Sequence, residues 1–239
     1  TLALLLMKKK AIIMETLSMR KACSNYISAQ KHRMIKDIFF DIGNVLIDIY
    51  PEHCIQYWSD STDLKKEEII KAFSPRLHNN YETGKISNDD FFHGFKNALP
   101  QPCCLKKCDF WRGWDKLLGK EKKTVKILEN LSKDYNIWLL SNTNSKHIKN
   151  KLKPSSNFFN FINGSIFSFE VGLRKPDPSI YRKALSISNT VATEALFIDD
   201  LIENIESAKK LGWNTIHYKS YNSLKEELHY LGIKTSELN

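Results

Sequence analysis

No apolar run in this 239-residue sequence approaches the ~18 residues that a membrane-crossing helix needs, which excludes a helical span. Internal repeats and low-complexity tracts are also missing, and with them a repeat array. The opening apolar run, Leu2 to Met7, is too short for a signal-peptide core, and Lys8-Lys9-Lys10 follows it instead of preceding it. Without a secretory signal, the odd set Cys23, Cys54, Cys103, Cys104 and Cys108 reads as free thiols in a reducing compartment, with the cytoplasm expected. The Cys103–Cys108 cluster lacks the second ligand pair of a zinc finger. Acidic residues are scarce at the start: residues 1–33 carry seven Lys/Arg and one Glu, which is +6 of the net +9. The remainder is nearly balanced, so no clustered basic face is expected and no nucleic-acid partner.

Residues 1–33 fit no strand or helix template and read as an N-terminal extension, disordered or not native, with Met34 the expected functional start. If native, this basic, Ser-containing segment weakly resembles an organelle transit peptide. From residue 34 onward, five short apolar runs read as strands, at 35–40, 137–140, 165–169, 195–198 and 215–218. Helical spacing marks 124–133, 178–188 and 201–211, the last stopped by Gly212. Strands alternating with helices predict a doubly wound α/β fold with a parallel sheet. Nearly a hundred residues separate the first two of these strands, far more than one crossover helix requires. This interval is rich in Trp and Phe, and residues 89–99 have helical spacing. The expectation is an α/β core from residues 34–51 and 121–239, with a helical cap, 52–120, inserted after strand 1. The cap aromatics read as its own core and its contact with the α/β core.

In a doubly wound sheet, ligands bind beyond the carboxyl ends of the strands. Asp41 and Gly43 follow the first strand, Ser141 and Asn142 the second, Lys175 the third, and Asp199-Asp200 the fourth. Taken singly, each has a plain reading as a strand end, helix cap or turn. Together they put acids, a hydroxyl and a lysine at one sheet edge. Converging acids repel unless a cation sits among them, and carboxylate oxygens suit Mg²⁺. Ser141 and Lys175 can then hold phosphoryl oxygens, with Lys175 also balancing the charge on Asp41.

The order Asp41…Ser141…Lys175…Asp199-Asp200 resembles the four motifs of the haloacid dehalogenase superfamily over residues 34–220. The phrases FFDIGNVLID, LLSNTN, GLRKPDPSIY and FIDDLIENIESA resemble its FDxGNV subgroup, which includes bacterial α-glucose-1-phosphate phosphatases, as does Gly84-Lys85-Ile86-Ser87 within the cap. The resemblance implies a Mg²⁺-dependent phosphomonoester hydrolase acting on a sugar phosphate or a similar small phosphorylated metabolite. It makes Asp41 the nucleophile of an aspartyl-phosphate route and Lys175 the stabiliser of the transition state. It makes Ser141 and Asn142 phosphate contacts. Asp41, the Gly43 carbonyl and Asp200 would hold the metal, supported by Asp199 and Asn204.

Most phosphatases of this superfamily carry a second Asp, the general acid, where this chain has Gly43. Asp48 is a candidate replacement, against the plainer reading of a solvated loop acid. Alternatively, the substrate has a relatively acidic leaving oxygen, as in a sugar 1-phosphate or an aryl phosphate. The rival readings are a catalytically silent binding protein on the same fold and a metal-free dehalogenase; the paired acids Asp199-Asp200 count against the second. No membrane partner is expected, and nothing in the sequence indicates an oligomeric state.

Overall fold

The apolar run that ends at Phe40 forms β1 (Asp37–Phe40), and the chain doubles back into β2 (Ile47–Ile49). Five helices follow: α1 (Pro51–Thr62), α2 (Lys66–Ala72), α3 (Pro75–Glu82), α4 (Asn88–Ala98) and α5 (Lys107–Trp114). Next come β3 (Leu118–Glu121), α6 (Thr124–Leu131) and β4 (Asn136–Ser141). An irregular helical stretch at 145–155 leads to β5 (Gly164–Phe167), α7 (Pro178–Ser188) and β6 (Ala195–Asp199). The order closes with α8 (Ile202–Lys210), β7 (Asn214–His217) and α9 (Tyr221–Tyr230). This computed structural model describes residues 35–233. The expectations for residues 1–33, the start at Met34 and Cys23 lie outside the described residues.

Five strands form one sheet in the order β5-β4-β1-β6-β7, and every pair is parallel. The order reverses direction at β1, as a doubly wound fold requires. Alternation along each strand divides the apolar residues between the two faces. Ile38, Phe40, Ile137, Leu139, Leu196 and Ile198 join one buried cluster. Phe39, Leu140, Ala195 and Phe197 join the other, against Ile180, Tyr181 and Ala184 of α7. Both faces are therefore dry, and for that reason the strands read as continuous apolar runs.

Helices α1 to α5 build a separate aromatic cluster. Trp58 stacks on Phe110 with centroids 5.2 Å apart and planes 6° from parallel, and its indole N–H donates to the Phe110 carbonyl at 3.0 Å. Gly113 permits that packing, since a Cβ there would lie 2.2 Å from Trp58 Nε1. Ser87 opens α4 with a reciprocal capping box to Asp90. Most of these rings pack on one another, as the sequence reading of the cap aromatics expects.

Three elements depart from the sequence reading. β2 and β3 pair antiparallel, tying the two ends of the helical segment into a ribbon. The run expected to continue to residue 169 ends at Phe167, where a helical turn, Ser168–Val171, takes over. Residues 145–155 are helical and include a π segment, Ile148–Leu152. Among the described residues, no helix is long and apolar enough to cross a membrane. Cys54, Cys103, Cys104 and Cys108 are free thiols.

Candidate functional site

Because β1, β4 and β6 lie side by side and parallel, their carboxyl ends deliver Asp41, Ser141 and Asp199 to the same edge. The carboxylates of Asp41, Asp199 and Asp200 each offer an oxygen within 4.8 Å of the others. Lys175 stands between two of them, with Nζ 2.8 Å from Asp41 Oδ1 and 2.6 Å from Asp199 Oδ2. The ammonium group is 1% exposed, so its charge acts at low dielectric. Burial opposes that charge, but the two carboxylates outweigh it and hold the Lys175 pKa above its ordinary value.

The two outer acids are held differently. Asp199 is saturated: Oδ2 accepts from Lys175, both oxygens accept from Asn204 Nδ2 at 2.9 and 3.1 Å, and Oδ1 accepts the Leu201 N–H at 2.8 Å. Its position at the end of β6 is therefore fixed by α8. Asn204 is fixed in turn by Tyr181, whose hydroxyl donates to the Asn204 carbonyl at 2.9 Å. Asp200 is half-buried, and burial raises its pKa. Its Oδ2 accepts from Asn44 Nδ2 at 3.0 Å, and its carbonyl accepts from His217 Nε2 at 2.9 Å.

Asp41 is buried, and burial pushes its pKa up to about 6 against the opposing pull of Lys175. A further cation would lower the cost of ionising Asp41 and Asp200 together. Hard carboxylate oxygens so placed fit a divalent ion such as Mg²⁺. Since Asp199 is already satisfied, Asp41 and Asp200 are the acids left to bind it.

Asn142, just past β4, acts on Lys175. Its side-chain amide clamps the Lys175 backbone, donating to the carbonyl at 2.9 Å and accepting the N–H at 2.8 Å. Those atoms position Lys175 and are not spare for a phosphoryl group. Asp48 fits the plainer reading of a solvated acid: it lies on the ribbon, 37% exposed and 3.4 Å from Lys122 Nζ, while its neighbour Ile49 lines the cavity beside Gly43. A Cβ at Gly43 would lie 3.4 Å from Ile49 Cγ1 and 4.0 Å from Asp41 Oδ2. Ile49 thus packs against the point from which any side chain at position 43 would start.

Sequence reasoning missed Asn44, His217, Tyr181 and Ile49. Asn44 was detectable, because an Asn after Gly at a strand end suits the left-handed backbone it adopts, φ 54°. The others act through tertiary contacts that no local pattern encodes.

A cavity of ≈ 520 Å³ opens from Gly43, Ser141 and Asn142 and runs beneath the helical segment to Trp58, Phe73 and Trp114. His147 ties the two layers together at its far side. It accepts from Asn144 Nδ2 at Nδ1 (3.2 Å), donates from Nε2 to the Trp114 carbonyl (3.2 Å), and stacks on the Trp114 ring at 5.1 Å. Burial holds it neutral, with a pKa pushed down to about 4. Arg174 makes a second tie from beside Lys175, with Nη2 3.1 Å from Oε2 of Glu82 on α3.

The sequence pattern of the haloacid dehalogenase-like hydrolases matches residues 35–212. D-ribitol-5-phosphate phosphatase of Bacteroides thetaiotaomicron is 26% identical over 205 residues, covering 82% of this chain and 97% of that protein. Flavin mononucleotide hydrolase 1 of Arabidopsis thaliana is 30% identical over 184 residues, covering 71% of this chain and 68% of that protein. The crystal structure of a family enzyme from B. thetaiotaomicron in complex with magnesium superposes with a TM-score of 0.68 at 25% identity, covering 78% of this chain and 94% of that one.

Proposed function

The chain belongs to the haloacid dehalogenase-like hydrolases, and we propose that it is a Mg²⁺-dependent phosphomonoesterase in which the Asp41 carboxylate attacks phosphorus. One observation carries this reading: a buried lysine bridges Asp41 and Asp199, with Asp200 within carboxylate reach of both. This is an acid cluster poised for a cation beside a nucleophile held by Lys175.

In the proposed reaction, Asp41 displaces the alcohol from phosphorus and becomes an aspartyl phosphate, and water then releases inorganic phosphate and restores the carboxylate. Lys175 balances the negative charge that gathers on the transferring group. Ser141, buried beside Asp41, orients that carboxylate and offers its hydroxyl to a phosphoryl oxygen. Asn142 holds the Lys175 backbone, and Asn204 with Asp199 holds its ammonium. A bound Mg²⁺, held by Asp41, Asp200 and the Gly43 carbonyl, would neutralise phosphoryl charge and align the reacting oxygens.

With Gly43 and Ile49 where a general acid would stand, the departing oxygen takes its proton from water, and esters with better leaving groups are favoured. The helical segment, as a cap over residues 52–120, covers the leaving group. The relatives act on a sugar-alcohol phosphate and on a flavin mononucleotide by name, so they leave the alcohol open. The subgroup of α-glucose-1-phosphate phosphatases is the reading that the sequence phrases support, and the free thiols suit the cytoplasm. The test is phosphate release from an ester panel with Mg²⁺ and with chelator, for wild type and Asp41→Asn. Turnover that requires both metal and Asp41 is the expected result. Equal turnover in chelator would overturn the metal requirement.

A further inference from the structure

The cavity beneath the helical segment has walls that suit one kind of alcohol. Its ≈ 520 Å³ falls within the ~300–1,000 Å³ usual for small-molecule sites. Ile42, Ile49, Ile55, Phe73, Leu118 and Leu152 supply apolar wall. At its lip stands Ile70, an apolar side chain left 54% exposed. Where the cavity meets Gly43, Ser141 and Asn142, Ile49 adds apolar surface beside Gly43.

The polar groups in the far wall are largely spoken for. Both His147 nitrogens are bonded. Glu82 is held by Arg174 at 3.1 Å and by His78 at 3.5 Å. Trp114 adds further apolar wall: its ring lines the cavity, while its Nε1–H is buried away from solvent. A sugar or polyol entering this space would strip water from several hydroxyls and find few partners, at roughly tenfold in affinity for each hydroxyl left unpaired.

We propose that the phosphate ester taken by this site is that of a bulky, largely apolar alcohol. This rests on the phosphomonoesterase reading. It replaces the small sugar phosphate suggested by sequence resemblance with an aromatic or similarly apolar leaving group.

The test compares three esters in full-length protein with Mg²⁺: 4-benzoylbenzyl phosphate, 4-benzylbenzyl phosphate and ribitol 5-phosphate. The first two are nearly alike in size and leaving-group chemistry and serve as two independent apolar probes. The expected kcat/KM is at least ~100-fold higher for either benzyl ester than for ribitol 5-phosphate. Ile70→Glu, at an exposed position, should raise KM for the benzyl esters and not for p-nitrophenyl phosphate, which is too small to reach the lip.

Preference for ribitol 5-phosphate, with p-nitrophenyl phosphate also hydrolysed, would overturn the apolar assignment and leave the phosphatase reading intact. No hydrolysis of any ester would instead count against the phosphatase reading. Binding of 4-benzoylbenzyl alcohol, followed by quenching of tryptophan fluorescence, would then decide the cavity assignment. Saturable quenching weakened by Ile70→Glu supports it, and no quenching overturns it.

Discussion

Replacing Gly43 with Asp tests how the missing proton donor limits this site. The Gly43 backbone is not in the left-handed region, and a Cβ there would touch Ile49 Cγ1 at 3.4 Å, an ordinary contact. Gly43→Ala should therefore fold normally. An aspartate extends beyond that Cβ into the space Ile49 occupies, and overpacking of this kind costs ~1–3 kcal/mol. Ile49→Ala in the same chain makes room, at a cost near the lower end of the ~2–5 kcal/mol seen for Ile→Ala in cores, because Ile49 is only partly buried. A correctly placed general acid is worth ~10²–10⁴-fold, chiefly for poor leaving groups. The double variant should therefore raise kcat for an alkyl phosphate by ~100-fold and change p-nitrophenyl phosphate little, with Gly43→Asp alone falling between. Steady-state rates across leaving groups of graded acidity provide the assay. An equal gain on both esters, or none on the alkyl ester in a folded double variant, would refute the reasoning.

Lys175→Met should lower kcat by at least ~100-fold and lower stability by ~3 kcal/mol, because Asp41 and Asp199 lose the cation buried between them; phosphate release and urea unfolding at neutral pH measure the two effects. His147 adds a pH term: its pKa of about 4 in the folded chain lies below the ordinary 6.5, so the unfolded chain takes up a proton first as pH falls. Stability is then lost between pH 6.5 and 4, by up to ~3 kcal/mol, and His147→Gln should flatten that part of the urea-midpoint profile. Gly113→Ala drives a Cβ to 2.2 Å from Trp58 Nε1, and should cost ~1–3 kcal/mol in thermal or urea unfolding while raising KM for bulky esters more than kcat falls.

The sheet was legible because both of its faces are buried, which turns each strand into an apolar run that periodicity can find. Its short ribbon was not: β2 and β3 are three and four residues long, and Gly119 sits inside β3. Their pairing spans the whole helical segment, so no local pattern announces it. Among the site residues, Asp41, Ser141, Lys175, Asp199 and Asp200 were legible because each follows an apolar run and carries a chemically distinct side chain. Asn142 was legible as a site residue, but its side-chain hold on the backbone of Lys175 was not, since sequence spacing cannot show such a clamp. Ile49 was invisible for the opposite reason: an isoleucine in a strand reads as packing, and its importance lies in the carboxylate it displaces. The aromatic residues of the helical segment read correctly as interior, yet Trp114 belongs both to that interior and to the cavity wall, a double use that no local pattern encodes.

Covalent capture of the phosphoryl group on Asp41 is the most direct test of the proposed chemistry. Acid quenching during turnover of a good ester with Mg²⁺, followed by peptide mass spectrometry, should place a phosphoryl adduct on Asp41, and Asp41→Ala should abolish both adduct and turnover. Turnover that persists in Asp41→Ala, with no adduct on the wild-type peptide, would contradict the account.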